Sequence, residues 1–210
     1  MKGKEEVRQD ILKVSKELFF ENGYRKVTVD EIAAKLSISK KTIYKYYESK
    51  QDILISTFED WKEKLTAEIN SVLDKGDISF VEKLKTMMTL IGVGMGRMNS
   101  ILVSDVQLYF PDLWIKINNY KHEAAFLRFN RLIEEGKEKG HIKKNIDKNL
   151  VVALYACAIE KLLDPNFLDN LPDDLRKSLP VYHAEIFDRT LKIIYEGILT
   201  EETIQDYNNR

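Results

Sequence analysis

The side chains best suited to chemistry in this 210-residue chain lie between residues 39 and 50. The pattern predicts a short helix over 40–47, with Ile43 and Tyr47 on its inner face. The outer face carries cations and hydroxyls, namely Lys40, Lys41, Thr42, Tyr44 and Lys45. Lysines can neutralise phosphates, and hydroxyls can donate hydrogen bonds to phosphate oxygens or base edges. This face therefore suits a phosphate-lined groove, although an ordinary solvated amphipathic helix would show the same pattern.

Three helix starts in close succession position this face. Thr28 and Glu31 have the spacing of a capping box, in which each side chain bonds to the backbone N–H of the other residue. Ser39 and Ser49 can each cap a further helix. A tight turn over 36–39 joins the first helix to the second, which is the spacing of a helix-turn-helix whose second helix enters the major groove. The caps and the turn therefore favour DNA binding over a merely solvated helix.

Four spaced elements carry a resemblance to a known family: Phe19-Phe-Glu-Asn-Gly-Tyr24, Thr28-Val-Asp-Glu-Ile-Ala33, Ser39-Lys-Lys-Thr-Ile-Tyr44 and Tyr46-Tyr-Glu-Ser-Lys50. Roughly residues 8–55 resemble the DNA-binding domain of the TetR/AcrR family of bacterial transcription regulators. The resemblance implies DNA contacts at Thr28, Ser39, Lys40, Thr42, Tyr44, Tyr46 and Lys50. The helical face adds Lys41 and Lys45. We expect Lys50 to hold a phosphate together with the N-terminus of its helix.

Two positions depart from the family pattern. Ser37 occupies the turn position where the family usually has glycine, so a residue with a Cβ must hold the turn at a modest cost in strain. Lys41 stands where glycine is frequent and adds a bulky cation at the DNA surface. Family contacts near Lys41 are therefore not carried over.

Charge is distributed unevenly along the chain. Residues 1–50 contain 12 Lys/Arg and 8 Asp/Glu, a charge of +4, whereas the other 160 residues contain 21 and 26, a charge of −5. A basic N-terminal segment followed by an acidic remainder is typical of a protein that binds DNA through one end. The single cysteine excludes an internal disulfide, and neither a secretory signal nor a membrane span is recognisable. We expect a cytoplasmic protein without a membrane partner.

The fold class predicted is all-α, with an N-terminal three-helix helix-turn-helix domain joined by a long helix to a C-terminal helical bundle. The expected domains are a DNA-binding domain over 1–48 and a ligand-binding and dimerisation domain over 49–210. Apolar periodicity predicts helices over about 4–21, 50–73, 100–110, 111–139, 148–163 and 180–200, and another that begins at Ser79. Three glycines at 92, 94 and 96 are expected to interrupt that helix, and residues 201–210 to fray.

Catalytic and metal sites are not predicted. His122, His141 and His183 lack the i, i+4 spacing of metal ligands. Cys157 lies in the most apolar helix and is expected to pack in the core. Glu160 in the same helix should pair with a cation or be partly exposed, and the alternative is that it faces a pocket. No nucleophile–base or phosphate-loop arrangement is present, so we expect neither an enzyme nor a cofactor.

The partners expected are operator DNA, a small-molecule effector and a second copy of the chain, since residues 148–163 and 180–200 carry more apolar surface than one bundle covers. The candidate effector residues are Trp61, Met88, Met95, Met98, Tyr109, Phe110, Trp114, Tyr120, Phe126 and Tyr155. These side chains are most simply core, although methionine adapts well to apolar ligands. By resemblance, repression is the commonest mode. Since the long helix that begins at Lys50 also reaches the effector domain, we expect an effector to press on this helix and tilt it. The alternative is an apolar-ligand carrier or enzyme with a non-functional head.

Overall fold

A computed structural model describes residues 3–96, 99–162, 167–168, 170–180 and 183–209. Their regular structure is helical, apart from an isolated antiparallel bridge between Ile142 and Leu199, so the all-α prediction is confirmed. The helices are, in chain order, α1 (Lys4–Asn22), α2 (Val29–Lys35), α3 (Lys40–Ile43), α4 (Lys50–Asp74), α5 (Phe80–Gly96), α6 (Ser100–Tyr109), α7 (Pro111–Glu123), a π-helical segment (Ala124–Phe129), α8 (Asn130–Glu138), α9 (Lys148–Leu162), α10 (Asp173–Ser178), α11 (His183–Ile198) and α12 (Glu201–Asn209).

The chain forms two compact units. Unit 1 contains residues 1–66 and 97–114, and unit 2 contains residues 67–96 and 115–210. Helix α6 therefore clusters with α1, α2 and α3, although it is distant from them in sequence. The sequence analysis places the end of the DNA-binding domain at residue 48, and this functional boundary stays a prediction.

Unit 1 is built on the inner faces of its first helices. Ile11, Phe19, Ile32 and Ile43 are fully buried. Burying the apolar face of a helix removes hydrocarbon from water and fixes the rotation of the helix. The rotation of α3 is set in this way by Ile43, which points its lysine-bearing side outward.

Unit 2 contains an aromatic cluster at the end of the π-helical segment. The rings of Phe129 and Tyr155 are stacked with 3.9 Å between their centroids, and Tyr195 meets Phe129 edge-on at 6.1 Å. The long helix predicted over 111–139 is helical throughout 111–138, but residues 124–129 within it form π-helical turns that the sequence analysis did not predict. A π-turn inserts one extra residue, which shifts the side chains that follow it around the helix axis.

Three further predictions of local structure are corrected. Helix α3 ends at Ile43 instead of reaching 47, and the turns after it use i→i+3 bonds such as Tyr46 N to Ile43 O at 2.9 Å. Helix α5 includes Gly92 and Gly94 without interruption and ends at Gly96, so the predicted interruption is wrong at the first two glycines. Residues 201–209 are helical and not frayed, since Ile204 N donates to Thr200 O at 2.9 Å and Thr203 is buried. In the part of the chain that the structure describes, none of the helices combines the length and apolar character needed to span a membrane.

Candidate nucleic-acid interface and effector region

The start of α2 is fixed by the predicted capping box. Thr28 Oγ1 accepts from Glu31 N at 3.2 Å, and Glu31 Oε2 accepts from Thr28 N at 2.7 Å. The Thr28 hydroxyl also lies 3.0 Å from the same carboxylate. The hydrogen bonds from the Thr28 backbone and hydroxyl hold the pKa of Glu31 below its ordinary value. The capping box is confirmed, and the Thr28 hydroxyl is engaged within α2.

The turn between α2 and α3 is a Schellman motif, a standard helix ending with a left-handed residue just after the helix. Ile38 N donates to Ala33 O and Ser37 N donates to Ala34 O, both at 3.0 Å. Ser37 occupies the left-handed position with a φ of 55°. The strain predicted for this serine is therefore present, because its Cβ crowds the backbone where glycine would not.

Helix α3 is capped by Ser39, whose Oγ accepts from Thr42 N at 3.0 Å. The two hydroxyls of Ser39 and Thr42 also lie within hydrogen-bonding distance of each other, at 2.8 Å. Burial of Ile43 and Tyr47 directs the opposite side of the segment to solvent, where Tyr44 is 45% exposed. The inward and outward faces predicted from the sequence are confirmed.

The lysines of this segment differ in their surroundings. Lys40 Nζ pairs with Asp30 Oδ2 at 2.9 Å, and the hydrogen bond to Asp30 raises the pKa of Lys40. Lys41 and Lys45 are exposed, and neither forms an ion pair with any residue that the structure describes. These two ammonium groups are therefore the ones that could meet phosphates without first breaking an internal pair.

Lys50 has an internal role that the sequence did not reveal. Its Nζ donates to Tyr24 O and Val27 O, both at 2.8 Å, and lies 4.0 Å from the centroid of the Tyr24 ring. Burial lowers the pKa of Lys50. Two of the three ammonium donors are thus used by the loop between α1 and α2. Contact of the third donor with a phosphate stays a prediction, as does the contact assigned to half-buried Tyr46.

The C-terminal end of α4 is held within unit 2. Leu73 O accepts from Lys83 Nζ and from Arg131 Nη2, both at 3.2 Å, and Arg131 pairs with Asp74 at 2.7 Å. Lys83 is buried and pairs with Glu135 at 3.0 Å. Cations at a helix C-terminus satisfy its free carbonyls and complement its dipole. Sequence reasoning missed this clamp because its acceptor is a backbone carbonyl.

The candidate effector residues are divided between the two units. Trp61, Tyr109, Phe110 and Trp114 belong to unit 1, and Tyr120, Phe126 and Tyr155 to unit 2. Trp61 is buried beside Phe58, with 5.5 Å between ring centroids, whereas Phe126 is 51% exposed. Met98 and the side chains of Met88 and Met95 lie outside the described part of the chain. Ligand binding by these residues stays a prediction.

Cys157 is exposed, so the prediction that it packs in the core was wrong. It follows Leu150 and Leu154 on α9 at positions i+7 and i+3, and both leucines are exposed as well. Glu160 pairs with His122 Nε2 at 3.1 Å and with Lys161 at 3.0 Å, which confirms its pairing with a cation. Among the described residues, no three metal-ligating side chains come together.

Comparisons with known proteins indicate similarity to bacterial transcription regulators. Residues 11–57 match the family model for bacterial regulatory proteins of the tetR family. The HTH-type transcriptional regulator YvaF of Bacillus subtilis is 25% identical over 180 residues, which cover 83% of this chain and 87% of that protein. The fatty acid metabolism regulator protein of Bacillus subtilis is 28% identical over 179 residues, covering 83% and 91%.

Residues 11–57 carry the helix-turn-helix domain of the TetR/AcrR family of bacterial transcription regulators. The fold of this regulator is shared with the fatty acid degradation regulator FadR from Bacillus halodurans, at 22% identity and a TM-score of 0.59 over 96% of this chain and 97% of that one. The matched residues 11–57 include α2, α3 and the turn between them. The family is one of DNA-binding transcription regulators, not an enzyme family.

Proposed function

We propose that this TetR/AcrR-family regulator is a homodimeric, cytoplasmic repressor that binds operator DNA through α3 and is released by a small, largely apolar effector. The proposed DNA contact is supported by two exposed ammonium groups, those of Lys41 and Lys45. They belong to a capped helical segment whose other face is buried. Thr28, Ser39, Lys40, Thr42, Tyr44, Tyr46 and Lys50 complete the proposed DNA-contacting set.

Operator binding is tested by enriching a random pool of DNA duplexes on the wild-type chain. The affinity for the enriched duplex is then measured as a function of salt concentration. Each phosphate contact contributes about 0.9 to the slope of log K against log salt, so Lys45→Ala should flatten the slope by roughly two units in a dimer. Lys13→Ala removes an exposed cation from α1 and serves as the matched control, with an unchanged slope. Failure of the wild-type chain to enrich any duplex would refute the proposed function.

The dimer is supported by an apolar face on α9 and α11. Leu150 is 60%, Leu154 54% and Ile193 71% exposed in one chain, and Cys157 is exposed beside them. Pairing two such faces would remove this surface from water, and a two-fold arrangement would present two α3 helices to successive major grooves about 34–36 Å apart.

Leu154→Glu tests this interface, because a carboxylate in an apolar contact would have to be desolvated without a partner. Light scattering should show a dimer for the wild-type chain and a monomer for this variant. Leu175→Glu is the matched control, since Leu175 is 48% exposed on α10, where no residue is buried. A monomeric wild-type chain at micromolar concentration would contradict the proposal.

A fatty acyl chain is the first effector to test. A relative at 28% identity is named a fatty acid metabolism regulator, and the shared fold of the fatty acid degradation regulator points the same way. A series of fatty acids and their thioesters should release the enriched duplex at one range of chain lengths. By thermodynamic reciprocity, the duplex must then weaken effector binding by the same factor. An acid that binds equally well with and without the duplex is not an effector.

A further inference from the structure

Helix α6 holds the backbone at the end of α1, and both elements lie in unit 1. Asp105, in the middle of α6, is 7% exposed, and its Oδ2 accepts from Arg25 N at 2.9 Å. At the start of α6, Asn99 donates from its side-chain amide to Glu21 O and from its backbone N to Phe20 O. Burying a carboxylate removes its hydration at a cost in free energy, and the hydrogen bond from Arg25 N offsets part of that cost.

The contact is too close for any residue but glycine at position 23. Gly23 has a φ of 81°, and a Cβ there would meet Ile101 Cγ2 at 2.6 Å and Asp105 Oδ2 at 3.1 Å. The ring of Tyr24 meets that of Phe110 edge-on, with 4.6 Å between centroids. The loop after α1 is therefore seated directly on α6.

A single peptide group connects Asp105 to Lys50. Arg25 N, which donates to Asp105, and Tyr24 O, which accepts from Lys50 Nζ, belong to the same peptide group, between residues 24 and 25. The carboxylate polarises the N–H and the ammonium polarises the C=O, so each bond strengthens the other. Lys50 is the first residue of α4, and its second acceptor, Val27 O, immediately precedes the cap of α2.

We propose that Asp105 is a positioning residue for DNA binding, which acts through the Tyr24–Arg25 peptide to hold the carbonyls that orient Lys50 and the start of α2. The proposal rests on the proposed function, since its consequence is measured as DNA affinity. Neither the resemblance nor the charge pattern singles out this residue, because its partner is a backbone amide eighty positions away.

The test compares Asp105→Asn with the wild-type chain on the enriched duplex. Removing a negative charge should by itself tighten DNA binding. Weakening of the peptide bridge should instead reduce the affinity, by up to about tenfold, because a neutral amide oxygen is a poorer acceptor for Arg25 N than a carboxylate. The two explanations therefore predict opposite signs. Asp77→Asn, at an exposed loop position, is the matched control for charge alone. Unchanged or tighter binding by Asp105→Asn, relative to the wild type, would overturn the proposal.

A double-mutant cycle with Lys50→Met separates positioning from general destabilisation. If Asp105 acts through Lys50, Asp105→Asn should cost much less affinity in the Lys50→Met background, whereas additive losses would contradict the bridge. Magnetic resonance provides a second readout, since loss of the Asp105 charge should lower the pKa of the Lys50 ammonium further.

The wild-type chain tests the bridge even if Asp105→Asn does not fold. The Arg25 amide should exchange its hydrogen far more slowly than an exposed loop amide, and exchange at the loop rate would refute the bridge. This result does not depend on DNA. A wild-type chain that shows the slow amide but binds no duplex would therefore refute the proposed function and leave the bridge standing.

Discussion

Ser37→Gly should stabilise unit 1, because Ser37 holds the left-handed position of the turn between α2 and α3 with a φ of 55°. A Cβ in this region costs roughly 1–2 kcal/mol, which glycine avoids. Glycine also gains freedom in the unfolded chain, which offsets about 0.4–1 kcal/mol. The exposed serine side chain contributes little packing that could be lost. The expected net gain in the free energy of unfolding is therefore about 0.5–1 kcal/mol.

Tryptophan fluorescence is a suitable probe for this variant. The chain has two tryptophans, Trp61 and Trp114, and both lie in unit 1 with Ser37. Urea unfolding followed by their emission therefore reports on the unit that carries the substitution. The midpoint should move to higher urea with an unchanged slope, since the surface exposed on unfolding is the same.

Two controls identify the physical origin of the gain. Ser37→Ala keeps the Cβ and removes only the hydroxyl, so it should give no gain. Ser39→Gly, two positions further, replaces a cap whose φ is −80° and should lose a few tenths of a kcal/mol. A Ser37→Gly chain no more stable than the wild type, or a Ser37→Ala chain equally stabilised, would show that the Cβ is not strained.

The capping box provides the remaining predictions. Thr28→Ala should lower the free energy of unfolding by about 1 kcal/mol, because Glu31 N loses its acceptor; an unchanged urea midpoint would mean that water replaces the hydroxyl without cost. Glu31→Gln should flatten the acid side of the stability profile. The folded-state pKa of Glu31 lies below its ordinary 4.5, so its contribution is present above that pH and is lost as the pH falls through the lowered pKa. Urea midpoints of the variant and the wild type measured from neutral to acidic pH test this, and parallel profiles would contradict it.

Helix starts were predictable because a capping oxygen and the backbone N–H that donates to it lie within three residues of each other. Thr28 with Glu31, Ser39 with Thr42 and Ser49 with Asp52 all form the expected bonds. The strain at Ser37 was predictable for the same reason, since it follows from one residue in one turn. Seven of the proposed DNA contacts follow from the family resemblance, and Lys41 and Lys45 follow from the helical face; contact itself stays a prediction.

Features that depend on distant residues were decided only by the tertiary structure. The π-turn before Phe129 suits the stacking of its ring on Tyr155, a residue of another helix. Cys157 is exposed because one side of α9 faces solvent in the single chain. Apolar residues occur on every side of this helix, so the sequence does not indicate which side is exposed. Apolar periodicity predicts that one face of a helix is buried, but it does not identify the element that buries it.

The two ends of α4 show the same limit most clearly. The sequence analysis assigned Lys50 to a phosphate and gave Lys83 no role, yet both lysines donate to backbone carbonyls, of Tyr24 and of Leu73. Every residue has a carbonyl, so the sequence carries no signal for which one will accept. The role of Asp105 is not detectable from the sequence for the same reason, because its partner is the backbone amide of Arg25. The sequence alone determined most of the helices and the helix-turn-helix, whereas the backbone groups that hold α4 and α6 in place emerged only when the chain was folded.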